Sequence, residues 1–154
     1  MIIIYVIGAF IIFYASLVFF KLPISRAFFM VANAILITGF IMSTALNKFN
    51  DIEDIFLIPI TTLYFGIMAL FIVPWAYFLS VIITLKSKEY FNKRSYYLIF
   101  GAFVGIFFTF LILLYTNHIS FNDPILFVGA LVGFLTLLID TKIYKFRAYQ
   151  SSLA

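Results

Sequence analysis

The chain has 154 residues, 66% of them hydrophobic and only 10% charged, with a net charge of +4 and no cysteine. A soluble domain carries about a quarter charged residues, so a mean hydropathy of +1.19 assigns the chain to the bilayer and leaves no stretch for an extramembrane domain. The missing cysteines exclude disulfides and thiolate metal sites.

Charged and breaker residues divide the chain into five apolar blocks, at about 2–20, 27–46, 60–85, 96–115 and 125–144. About 20 residues of helix cross a hydrocarbon core of about 30 Å. None of the blocks alternates polar and apolar residues, which excludes a barrel. The expected fold is an all-α integral membrane protein, a single domain of five transmembrane helices.

The first block opens MIIIYVIGAF, with no basic start and no small-residue cleavage site, so it is expected to stay as a helix. Its Gly8, Ala9 and Ala15 suggest close helix contacts. The loop KLPISR follows, holding Lys21, Pro23 and Arg26, and the second block then carries Asn33, Thr38 and Ser43. The next loop, NKFNDIED, sets Lys48 against Asp51, Glu53 and Asp54 and reads as a solvated acidic loop.

The run 55–85 is longer than one crossing needs and contains Pro59, Gly66 and Pro74. A lead-in up to Pro59 and then one long, irregular helix accounts for the length. Pro74 has no N–H, so the carbonyl of Leu70 loses its donor and the ring crowds it. A kink or a π-bulge is the expected result. The loop KSKEYFNKRS brings Lys86, Lys88, Lys93 and Arg94.

The fourth block has the pair Gly101 and Gly105, and the fifth has Gly129 and Gly133. Both are small-xxx-small spacings of the kind that lets membrane helices approach closely, and Thr61, Thr62, Ser80 and Thr109 are the types that bond between helices there. Between these blocks lies TNHISFND, where His118 has only Asp123 nearby, too few ligands for a metal. Pro124 suits the first turn of the last helix, with Asn122 or Asp123 as its cap. Asp140 is the one carboxylate inside a block, and it is expected to sit at the interface, paired locally with Lys142.

Five crossings place Lys21, Arg26, Lys86, Lys88, Lys93, Arg94, Lys142, Lys145 and Arg147 on one side and only Lys48 on the other. The positive-inside rule then gives N-terminus out and C-terminus in. This sorting also accounts for the net charge, so no nucleic-acid partner is implied. No phosphate loop, zinc motif or nucleophile elbow is present. The residues therefore point to no catalytic, cofactor-binding or metal-binding role.

The stretch LYFGIMALF resembles the third helix of chain 6 of the proton-pumping NADH:quinone oxidoreductase, respiratory complex I, and of its bacterial J-type counterpart. Tyr64 and Gly66 match that helix's Tyr-x-Gly, and Leu70 and Phe71 match its Leu-Phe pair. Five crossings, an outer N-terminus and a proline in the first inner loop agree as well. The spacing between Gly66 and Leu70 is one residue short, and Pro74 lies outside the family pattern.

The resemblance implies a membrane-arm subunit that binds no redox centre. FMN, iron–sulfur clusters and ubiquinone would belong to other subunits. The partners would be membrane subunits of a large complex, in the mitochondrial inner membrane or a bacterial cytoplasmic membrane. The family's third helix carries a π-bulge whose conversion couples electron transfer to proton movement, which would give Tyr64, Gly66, Leu70 and Phe71 the coupling role, and the irregularity expected at Pro74 adds that residue to them. The alternatives are a stand-alone membrane protein, such as an immunity protein against a pore-forming toxin, or an accessory subunit of another membrane complex.

Overall fold

The computed structural model describes residues 1–46, 52–116 and 124–144. Every regular element among them is helical. In chain order they are α1 (Ile2–Phe19), α2 (Ile24–Leu46), a 3-10 stretch (Ile52–Leu57), α3 (Ile58–Ile72), α4 (Pro74–Ser87), a 3-10 turn (Lys88–Tyr90), α5 (Arg94–Tyr115) and α6 (Pro124–Ile143). Five helical segments are long and apolar enough to cross a membrane, the third being Ile55–Ile72, which α4 carries onward. The chain is built as a multi-pass membrane protein.

The turn after α1 is tighter than the sequence suggests. The Lys21 N–H bonds the carbonyl of Val18, and the Leu22 N–H bonds that of Leu17. Lys21 itself is left-handed, with φ 54°. This is a Schellman ending with lysine where glycine is usual, with Leu17 in the buried core and Leu22 packed against that core. Because the turn is short, α2 begins at Ile24 rather than at residue 27, and Arg26 lies in its first turn, buried, instead of in a loop.

The third crossing is not one continuous helix. Val73 leaves the helical region at φ −133° and ψ 55°. Its N–H still bonds the Ala69 carbonyl at 3.0 Å, and its own carbonyl accepts from Ala76 at 3.1 Å. The interruption is thus one residue wide, with Pro74 as the first residue of the new helix, where a missing N–H costs nothing. The expected irregularity is there. Its form is a break, and no π turn occurs among the described residues. Pro59 has the same role earlier in the crossing, in the first turn of α3.

Two antiparallel pairs of helices dominate the packing, α2 with α3 and α5 with α6. Both are built on glycine. A Cβ on Gly66 would come within 2.6 Å of the Ile35 carbonyl oxygen, and one on Gly39 within 2.9 Å of the Gly66 nitrogen. In the second pair, a Cβ on Gly105 would run into the Gly129 carbonyl, and one on Gly133 into that of Gly101. The two small-residue spacings therefore face each other along one seam. Gly8 does not share this role, since nothing lies within 4 Å of where its Cβ would be.

The remaining elements tie these pairs together. The Ser43 and Thr61 hydroxyls bond each other at 2.5 Å across α2 and α3. α1 runs alongside α4 in the same direction, with the rings of Phe13 and Phe78 stacked at 4.5 Å and Lys86 held 4.1 Å from the ring of Phe20. α4 also touches α2 and α5, and α6 returns to α2. The result is a ring of α2, α4, α5 and α6, flanked by α1 and α3. Lys21, Arg26, Lys86 and Arg94 collect at one end of this bundle, called here the basic end.

Candidate functional site

Arg26 and Asp140 form an ion pair that closes the basic end. The Arg26 Nε donates to Asp140 Oδ1 at 2.8 Å, and a second guanidinium nitrogen donates to Oδ2. Asp140 is 0% exposed and Arg26 is 7% exposed. The expected local partner, Lys142, is exposed and takes no part in this pair. The physical reason lies in helix geometry, since residues two apart on a helix do not face each other. Asp140 points inward, and the cation it meets is 114 positions away.

Each charge sits where its own helix opposes it. Arg26 is in the first turn of α2, the positive end of the helix dipole, and Asp140 is in the last turns of α6, the negative end. The stabilisation must come from the partner. Other groups gather round the pair. The Tyr144 ring lies 5.2 Å from the Arg26 guanidinium. Tyr97, fully buried, is within electrostatic reach of both charges. Arg94 donates to the Thr141 hydroxyl at 3.0 Å. The cluster fastens α2, α5 and α6 together at one end.

Above this fastening the ring encloses a cavity of about 420 Å³. Its walls come from α2, α4, α5 and α6, with Ala69 and Val73 at the break in the third crossing. At the basic end its lining is buried, as at Met30 and Leu137, with 1% and 2% exposure. At the far end Met42 and Leu46 are 38% and 60% exposed, so the cavity opens there. No charged side chain among the described residues lines it. The serine and threonine hydroxyls that line it are committed to their own helices. Thr38, Ser80, Thr84, Thr109 and Thr136 each donate to a carbonyl one turn back, at 2.6–2.8 Å. The Tyr77 side chain, also in the lining, lies beside that of Thr38.

The five residues expected to couple conformational change divide between the two faces of the third crossing. Gly66 and Pro74 are buried, and Leu70 is half-buried against the core. Tyr64 and Phe71 are exposed, at 58% and 37%, and the Tyr64 ring meets only that of Phe65 among the described ring contacts. The structure therefore brings Pro74 and Leu70 to the break, uses Gly66 for close approach to α2, and directs Tyr64 outward. None of the five lines the cavity, whereas Val73 and Ala76, on either side of Pro74, do.

No group of three or more metal-ligating side chains occurs among the described residues. Asp51, His118, Asn122, Asp123, Lys145 and Arg147 lie outside them. The arrangement therefore defines a helical membrane protein with a broken third crossing and an apolar cavity among its helices. Comparison with family profiles, curated proteins and solved structures returned no match.

Proposed function

We propose that this chain is a non-catalytic membrane subunit that works by bending its third crossing, with its N-terminus outside and its C-terminus inside. One observation carries the reading: the crossing breaks at Val73 and Pro74, beside the cavity and next to α2 and α5. A break of this kind in a packed bundle leaves a backbone joint between two rigid helices. The orientation is supported by Lys21, Lys86 and Arg94 gathering at one end.

On the resemblance carried by Tyr64, Gly66, Leu70 and Phe71, we assign the subunit to the membrane arm of a proton-pumping NADH:quinone oxidoreductase, in the place of chain 6. The absence of charged side chains from the described cavity lining suits a subunit that transmits movement and carries no proton itself. Tagging the chain in its native membrane and purifying it in mild detergent tests the assignment. Quinone-reductase subunits should co-migrate with it in one large particle. A chain that runs alone and stays folded overturns the assignment. The orientation has its own check: because the chain has no native cysteine, Ser120→Cys should be labelled by an impermeant reagent from outside and Asn92→Cys should not.

A second reading is favoured by the Arg26–Asp140 pair. The second helix and the last are locked together by the chain's own charges, so the bundle closes on itself without a partner. That suits a stand-alone protein, such as an immunity protein, and it predicts survival of the purified chain as a monomer.

A further inference from the structure

We propose that the cavity between α2, α4, α5 and α6 is a binding site for one acyl chain of a membrane lipid, entering tail-first from the end opposite the basic residues. The inference stands whether or not the chain belongs to the respiratory assembly.

Three properties of the cavity select this occupant. The first is dryness. A cavity holds water or a polar solute when its walls offer partners, and apolar cavities stay dry. Here the hydroxyl protons of Thr38, Ser80, Thr84, Thr109 and Thr136 already bond their own helices. None of the buried, unbonded side-chain polar atoms among the described residues belongs to the lining. The second is shape. The lining runs along α2 from Met30 to Leu46, which at 1.5 Å per residue is about 24 Å. A volume of about 420 Å³ spread over that length is narrow. A helix, about 10 Å across, does not suit so narrow a space. One extended hydrocarbon chain does. The third is access. Met42 and Leu46 are exposed at the open end, while Met30, Thr84 and Leu137 close the other. A methylene gains little by leaving lipid for protein, because both surroundings are apolar. Selectivity must therefore come from the fit of the walls around the chain.

Trp75 provides a reporter. It is the only tryptophan, it lies between the lining residues Val73 and Ala76, and its ring is 6.2 Å from that of Phe108, which also lines the cavity. Stearate carrying a nitroxide in mid-chain should quench Trp75 fluorescence of the full chain in detergent. Saturation should come at one equivalent, with competition by unlabelled stearate or by a phospholipid. The arm that competes at lower concentration identifies the free acid or the phospholipid as the source. Ala34→Leu and Val128→Phe project extra carbon into the cavity and should raise the half-quenching concentration about tenfold. Ala32→Leu, on the exposed face of α2, should leave it unchanged. Native mass spectrometry of the same samples should count one bound chain in the wild type and fewer in the two filling variants. Quenching that rises without saturating overturns the proposal. So does equal quenching in all variants that keep wild-type helix content, or competition by a long isoprenoid alcohol but not by stearate.

Discussion

Removing one partner of the Arg26–Asp140 pair should be far more costly than removing both. At the 2.8 Å separation of Nε and Oδ1, and with an effective dielectric constant of about 20, the gross attraction is about 6 kcal/mol. Desolvation of both ions offsets most of that, so the pair contributes little beyond an apolar replacement. Stranding one ion is different and costs about 3–5 kcal/mol. The two single variants are not equivalent. A stranded carboxylate can neutralise itself by taking a proton, whereas a guanidinium cannot lose its charge. Asp140→Leu should therefore be the most damaging, Arg26→Met less so, and Arg26→Met with Asp140→Leu close to wild type. For a chain of this length, about 4 kcal/mol corresponds to a fall in Tm of roughly 10 °C. Thermal loss of the monodisperse species in detergent gives the order directly. Additive losses in the double variant would show that the two charges are not coupled and would refute the reasoning. An Arg26→Met variant that melts below Asp140→Leu would refute the asymmetry.

Further outcomes follow from the backbone. Gly105→Ala pushes a methyl group into the Gly129 carbonyl and should cost about 1–3 kcal/mol, whereas Gly8→Ala, with open space around it, should not lower the thermal midpoint. Lys21→Gly relieves a left-handed residue and should raise stability by about 1 kcal/mol, while Lys21→Val should lower it; melting both against wild type decides. Pro74→Ala returns a donor to the Leu70 carbonyl and should merge α3 with α4. Spin labels at the exposed positions Ile67 and Ile83 should then move to the roughly 24 Å of a continuous helix, and an unchanged distance would mean that packing, not proline, sets the break.

Where the sequence spoke through composition or local backbone chemistry, it was readable. Apolar blocks bounded by charges mark the helices because a crossing has no other way to satisfy its amides. Pro74 announces an interruption because a missing N–H acts within one turn. Its form was not readable. Whether the backbone adds a residue to a turn or lets one residue leave the helix depends on what the neighbours fill, here Leu70, Val73 and Ala76 against α2 and α5. The paired glycines were visible as two separate spacings, but their meeting along one seam required the register of α5 on α6. The cavity had no signature at all. It is the space left by alanines and glycines on four helices, and each of those residues read alone as ordinary close packing.

Asp140 is the instructive failure, because a signal was present. The cation nearest along the chain, Lys142, is not the one that meets it in space. The rule that positions two apart diverge on a helix already argues against that pair. The dipole argument adds to it: a carboxylate in the last turns of a helix is disfavoured by its own backbone and needs a partner from elsewhere. Arg26 has the mirror-image problem at the start of α2. Two charges, each at the wrong end of its own helix and on the same side by the positive-inside count, are the pair most in need of each other. The hidden step was the turn at Lys21. By ending α1 sharply, it moves Arg26 from loop to helix and turns a topology signal into the bolt that closes the bundle beneath the cavity.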